Sequence, residues 1–219
     1  MMKKISRLHY ITTGAKLAEQ ACAGGVDWIQ LRLKNVTYDE YFAAGKEVQA
    51  VCKKYNATFI INDNIRLALD LNADGVHVGK EDPLPQADID AMLGRGGIIG
   101  CTANAIEDFI HLDGKPVSYI GLGPFRFTNT KQNLSQLLGI EGYKRIFKEI
   151  KERGMKIPPV IGIGGITEND VPELLSTGLH GIAVSGAISD AKNVSESAKN
   201  FMTLTSNHNQ FYAKKNEMI

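Results

Sequence analysis

The sequence predicts a (β/α)8 barrel, and three observations lead there. Short β-branched runs recur eight times along 219 residues, most starting about 20 residues after the one before, the length of a strand, a crossover helix and two loops. A helix-like segment follows most of them. No linker divides the chain, so residues 1–219 read as one domain. Short right-handed crossovers admit either an open doubly wound sheet or a barrel, and eight units favour the barrel.

Each element follows from its pattern. Leu8–Ile11 leads through Thr12-Thr13-Gly14 into a helix at Ala15–Ala23. Trp28–Arg32 is followed by a helix at Tyr38–Tyr55, with Tyr41, Phe42, Val48, Val51 and Cys52 at helical spacing. Thr58–Ile61 precedes a helix at Ile65–Leu71, Gly75–Val78 one at Gln86–Leu93, and Ile98–Cys101 one at Ala105–His111. After Tyr119–Leu122 comes the one longer gap, Pro124 to Leu138, and then a helix at Gly142–Glu152. Val160–Ile163 precedes Glu168–Ser176, and Gly181–Val184 precedes Val194–Leu204. The polar tail after Thr205 is expected to fray.

Composition removes several classes of function. Hydrophobic residues are 43% and charged residues 22%, which supports a packed core and argues against disorder. Lys+Arg 25 against Asp+Glu 24 leaves +1, so nothing favours a general nucleic-acid binder. No stretch approaches the roughly 18–20 uninterrupted apolar residues of a membrane span. Cys22, Cys52 and Cys101 form no CxxC pair, and no apolar run follows Lys3 and Lys4. The expected setting is the reducing cytoplasm, with neither nucleic acid nor membrane as partner. Oligomeric state stays open, a homo-oligomer included.

On a barrel, chemistry sits at strand C-termini and in the loops that follow. After the seventh strand stands Gly162-Ile163-Gly164-Gly165-Ile166-Thr167, and after the eighth Ser185-Gly186. Glycines there let backbone N–H groups approach a phosphate, or only form tight turns. A dinucleotide fingerprint fails because Thr167 stands in place of the third glycine. In Gln30-Leu31-Arg32-Leu33-Lys34, period-two alternation puts Gln30, Arg32 and Lys34 on one face. Cations aimed into a barrel mouth point to an anion, Arg as a fork and Lys as a point charge. Asn62-Asp63 ends the third strand, and Glu81-Asp82 follows the fourth. Two acids from neighbouring strands suit Mg²⁺ held through water and phosphate oxygens. Their plainer use is capping: Asp63 ahead of the Ile65 helix, Asp82 ahead of Pro83. Thr128, Thr130 and Lys131 in the long loop offer a second anion clamp, and Thr102 could donate to the same ligand. His77 reads as a hydrogen-bonded structural group rather than a base, and neither a nucleophilic triad nor a zinc spacing is present. Two phosphate-type sites, one Mg²⁺ and no nucleophile suggest two phosphorylated substrates and a departing pyrophosphate.

In this order the motifs resemble the thiamine-phosphate synthase (thiamine-phosphate pyrophosphorylase) family, from about Leu8 to Met202. The resemblance rests on Gln30-Leu31-Arg32-Leu33-Lys34, Ile61-Asn62-Asp63, Ala73-Asp74-Gly75-Val76-His77, Gly121-Leu122-Gly123-Pro124, Thr128-Asn129-Thr130-Lys131 and Gly162-Ile163-Gly164-Gly165-Ile166. It implies a transferase of thiamine biosynthesis. The diphosphate of 4-amino-2-methyl-5-hydroxymethylpyrimidine loses pyrophosphate, and the ring nitrogen of thiazole phosphate captures the resulting cation. By resemblance Gln30, Arg32, Lys34, Asn62 and Lys131 hold the pyrimidine diphosphate, and Asp63 and Asp82 hold Mg²⁺. Thr102 contacts the pyrimidine, and Thr128, Thr130, Gly165, Ser185 and Gly186 hold the thiazole phosphate. No residue acts as acid or base; Arg32, Lys34 and Lys131 stabilise charge. The chain departs from the family pattern at Leu33, Lys80, Glu81, Thr102, Arg126-Phe127 and Ser185-Gly186, and in the short first loop. Lys80 could add a diphosphate contact. A thiazole tautomerase on the same fold is the alternative, and it would need a His after the fifth strand, where Thr102-Ala103-Asn104 stands. A non-catalytic phosphate-binding barrel is the third reading.

Overall fold

The computed structural model describes residues 4–127 and 137–216. Eight parallel strands close into a barrel in sequence order: β1 Leu8–Thr12, β2 Trp28–Leu31, β3 Thr58–Asn62, β4 Gly75–Val78, β5 Ile98–Ala103, β6 Tyr119–Leu122, β7 Val160–Ile163 and β8 Gly181–Val184. β1 pairs with both β2 and β8, which closes the ring. The helices between them are α1 Ala15–Ala23, α2 Tyr38–Tyr55, α3 Ile65–Asp70, α4 Gln86–Gly94, α5 Ile106–Leu112, α6 Gly139–Glu152 and α7 Val171–Ser176, the last preceded by a 3₁₀ turn at Glu168–Asp170. After β8 come α8 Gly186–Ser189 and α9 Val194–Asn216. The predicted barrel is the observed one.

Alternation along each strand separates two cores. Outward residues such as Ile29, Leu31, Phe59, Ile61, Val76, Val78, Ile120 and Leu122 pack under the helices. Inward residues form a second, smaller cluster of Ile11, Trp28, Ile60, Ile98, Tyr119, Ile161 and Ala183. His9 stacks on Trp28 at 4.1 Å, and Tyr119 meets both rings edge-on. Toward the strand C-termini the inward positions turn polar: Gln30, Asn62 and His77 are buried there. Being covered on both faces, the strands read as near-continuous apolar runs.

Local chemistry sets the helix ends. At α2, Thr37 and Glu40 form a reciprocal capping box, Asp39 and Glu40 sit in the first turn, and Lys53 and Lys54 in the last. Asn56 ends it in the left-handed region. Two helix tyrosines reach back to strand ends. Tyr41 donates to Leu31 O at 2.8 Å, shared with Asn62 O at 3.1 Å, and Tyr143 donates to Leu122 O at 2.8 Å.

The structure differs from the sequence reading at several boundaries. β2 stops at Leu31, while β5 runs on to Ala103 and takes Thr102 into the strand. Beyond Thr205, where the sequence reading ends the helix, α9 continues to Asn216. No Gly or Pro interrupts that stretch, and the buried Thr205 hydroxyl donates back to Phe201 O at 2.9 Å. No described helix is long and apolar enough to cross a membrane.

Gly100 shows how tightly the interior is filled, since a Cβ there would lie 2.2 Å from the Tyr119 ring. Gly100→Ala is expected to lower stability by about 1–3 kcal/mol. Gly94→Ala, at an exposed position with nothing within 4 Å of the added carbon, should raise it by about 0.4–1 kcal/mol. Denaturant unfolding of the two variants checks both, and an undiminished Gly100→Ala would show that the Tyr119 ring has room to move.

Candidate active site

The mouth is built from strand ends inward. The Gln30 amide donates to Asn62 Oδ1 at 2.7 Å, so two buried amides satisfy each other where β2 and β3 end. The next residue, Asp63, has φ 67, a left-handed conformation that Asp tolerates. The α3 cap falls to Asn64, whose Oδ1 accepts from Leu67 N at 2.9 Å. Asp63 is thereby released from the capping role that the sequence allowed. Its carboxylate pairs with Lys34, and Arg32 adds favourable charge.

Asp82 comes from the loop after β4. It does not cap α4, since its carboxylate accepts from Gly79 N at 2.6 Å. The Asp63 and Asp82 carboxyls interact directly, and their proton affinities diverge. Burial pushes Asp63 up, but Lys34, the contact with Asp82 and Arg32 outweigh it and hold it below the ordinary carboxylate range. Burial and the Asp63 charge push Asp82 above that range. The structure thus brings together Arg32, Lys34, Asp63 and Asp82. Among the described residues no group of three or more His, Cys, Asp or Glu gathers into a fuller metal cage.

Lys80 is turned away from the role the sequence suggested. It pairs with Asp108 at 2.6 Å, and Asp108 also accepts from Asn104 N and Ala105 N at the start of α5. Lys80, Asp82, Thr102 and Asp108 border a cavity of about 380 Å³, walled by Leu84, Ile89, Ile99 and Leu112 among others. On the inner wall, His77 Nε2 lies 3.1 Å from Thr102 Oγ1 and His77 Nδ1 3.0 Å from the Tyr119 hydroxyl. His77 is the hydrogen-bonded group that the sequence suggested.

On the far side, Gly164 (φ 104) and Gly165 (φ 66) adopt conformations that favour glycine. They also make room. A Cβ on Gly164 would sit 2.8 Å from Pro124 Cβ, and one on Gly165 2.9 Å from Arg126 Cβ. The loops after β6 and β7 therefore touch, with Phe125 N donating to Ile163 O at 2.8 Å and Arg126 N to Gly164 O at 3.0 Å. Ser185 precedes α8, which opens on Gly186. Thr128, Thr130 and Lys131 lie outside the described residues.

Two features escaped the sequence reading. The Arg126 guanidinium forks onto both oxygens of Asp170 at 2.6 Å, and Asp170 also accepts from Thr167 N at 2.8 Å and Thr167 Oγ1 at 2.7 Å. The Thr167-x-x-Asp170 spacing was the available signal, but Arg126 is remote in sequence. The other is Tyr119, whose inward register opposite Gly100 was readable only once the strands were paired.

A closed barrel with cations and paired carboxylates on one side of its mouth and a glycine-lined pair of loops on the other defines a (β/α)8 enzyme. The chain belongs to the thiamine monophosphate synthase family, whose model matches residues 5–188. It is 45% identical over 192 residues to a thiamine-phosphate synthase of Flavobacterium johnsoniae, covering 85% of this chain and 90% of that one. It is 44% identical over 187 residues to that of Phocaeicola vulgatus, covering 85% and 89%. A solved thiamine phosphate pyrophosphorylase from Pyrococcus furiosus superposes with a TM-score of 0.79 at 28% identity, over 92% of this chain and 96% of that one.

The Arg126–Asp170 clasp has a pH signature. Burial pushes the Asp170 carboxyl up, but the bonds from Arg126 and Thr167 outweigh it and hold it below the ordinary range. The stability it contributes is present above the unfolded carboxylate pKa and is lost as pH falls through the lower folded value. Asp170→Asn should cost about 1–3 kcal/mol at pH 7, and the gap to the parent should close below roughly pH 4. Chemical denaturation at a series of pH values reads both, and a gap independent of pH would refute the assignment.

Proposed function

We propose that the chain condenses 4-amino-2-methyl-5-hydroxymethylpyrimidine diphosphate with thiazole phosphate, giving thiamine phosphate and pyrophosphate. The observation that carries this reading is its near-full-length similarity to relatives named thiamine-phosphate synthase. In the reaction the bond between the pyrimidine methylene carbon and the diphosphate oxygen breaks, its electron pair leaving with pyrophosphate. The thiazole nitrogen lone pair then forms the new C–N bond.

The chain's own residues divide this work. Gln30 and Asn62 form a preorganised amide floor for the pyrimidine diphosphate. Arg32 offers two parallel N–H groups to a phosphate, while Lys34 and Lys131 add point charges. Thr102 meets the pyrimidine. Thr128, Thr130, Gly165, Ser185 and Gly186 take the thiazole phosphate. Charge stabilisation and alignment do the chemistry, with no residue moving a proton.

Asp63 and Asp82 fit Mg²⁺. Both are hard oxygen donors, they meet face to face, and the repulsion that raises Asp82 is what a cation relieves. The rest of the coordination would come from water and diphosphate. When bound, the ion neutralises charge on the departing pyrophosphate. In this structure Lys34 pairs with Asp63, and Arg32 adds its charge. The three free cysteines are all buried, which supports a reducing, cytoplasmic setting.

Pyrophosphate release from the two substrates tests the reading. Release should require both substrates and stop in EDTA, and full turnover without a divalent ion would refute the metal assignment. Asp63→Asn and Asp82→Asn should each lower turnover on the order of 10²-fold. Arg32→Ala should weaken the diphosphate substrate by roughly 1.5–3 kcal/mol, and unchanged binding in calorimetry would remove Arg32 from that site.

A further inference from the structure

Three side chains on the inner wall form a line from the barrel floor to its mouth: Tyr119, His77 and Thr102. The barrel is shaped around them. Tyr119 fills the space that Gly100 leaves empty, and a Cβ on Gly121 would lie 3.0 Å from His77 Cε1. The direction of the hydrogen bonds follows from burial. Tyr119 is 1% exposed, and its phenol is held neutral because burial pushes it well above its ordinary value. A buried O–H needs an acceptor. Among the described residues its hydrogen-bond partner is His77 Nδ1, at 3.0 Å. With His77 as the neutral ring, Nδ1 then accepts, the ring proton sits on Nε2, and Nε2–H donates to Thr102 Oγ1 at 3.1 Å. In the opposite direction the phenol hydrogen finds no acceptor among the described residues. With an oxygen lone pair of Thr102 engaged from below, its own hydrogen is free to turn toward a ligand. Thr102 is half-buried, on an inward-facing position of β5 in register with Gly121.

We propose that Tyr119 and His77 are positioning residues that hold the Thr102 hydroxyl as a hydrogen-bond donor, so that the pyrimidine must present a ring nitrogen, an acceptor, to it. The inference rests on the reading that Thr102 meets the pyrimidine. It adds a direction to that contact and a source of specificity. A ring with C–H at that position leaves the donor unpaired, and such a site rejects it more strongly than lost contact area alone would.

Two measurements test it. Long-range ¹H–¹⁵N spectra of the imidazoles should show His77 protonated at Nε2 with Nδ1 bare, and an Nδ1–H tautomer overturns the proposal. In kinetics, Tyr119→Phe keeps the ring packing and removes the hydroxyl. It should raise KM for the pyrimidine diphosphate roughly three- to tenfold, leaving inhibition by inorganic pyrophosphate and KM for thiazole phosphate unchanged. Thr102→Val should produce a rise of at least that size, Thr102→Ser should retain the parent KM, and adding Tyr119→Phe to Thr102→Val should change nothing further. Independent, multiplying effects in the double variant, or weaker pyrophosphate inhibition in Tyr119→Phe, overturn the relay. An unaltered KM in Thr102→Val removes Thr102 from the pyrimidine and overturns the inference while the condensation stands. Failure of the parent itself to release pyrophosphate would instead overturn the condensation.

Discussion

Closing eight parallel strands into a ring forces every second side chain into a space with no route to solvent except at the two ends. Whatever polar group points inward must find its partner inside that ring. The floor answers with aromatic and aliphatic residues, Trp28, Ile60, Ile98, Tyr119 and Ile161. Even there the solution is incomplete, since the Trp28 indole N–H is buried without an acceptor among the described residues. One layer higher, the inward positions switch to Gln30, Asn62, His77 and Thr102, and each closes on a neighbour: amide to amide, imidazole to hydroxyl. That switch sets the depth of the site. Below it no ligand can be solvated, and above it the loops supply charge.

The strand ends are held by the same economy. Tyr41 and Tyr143 lie under α2 and α6, yet their hydroxyls end on carbonyls at the tips of β2, β3 and β6. A helix thus fixes the point where its strand becomes a loop. The positions of Arg32 and Asp63, each one residue beyond such a point, follow from packing outside the barrel as much as from pairing within it.

Much of this was legible in the sequence, for physical reasons that can be named. Val76-His77-Val78 shows its polar residue on the inner face because a strand has period two, and Gln30 is readable in the same way. Eight apolar runs at even spacing imply closure. What could not be read was competition between neighbours for one role. Asp63 and Asn64 are both good caps, and only the left-handed turn at Asp63 decides that Asn64 takes the helix. Lys80 looked available because its partner Asp108 sits in the first turn of α5, after the next strand, which pairing alone brings near. The short α8 is hidden in a segment that looks like a glycine turn, and α9 outran its expected end because a polar stretch without a breaker can remain helical. Thr128, Thr130 and Lys131 stay as the sequence left them.

The loop after β6 begins and ends at one place. Leu138 N donates to Pro124 O at 3.0 Å and Gly139 N to Phe125 O at 3.1 Å, so the two ends of the loop are joined at its neck, with Arg126 clasped to Asp170 beside it. The chain thus enters α6 beside the point where it leaves β6. The entropy of closing the loop grows only with the logarithm of its length. A change of length between Phe127 and Leu137 therefore costs little in closure, and this neck gives descendants of the chain a place to vary in length without moving β6 or α6.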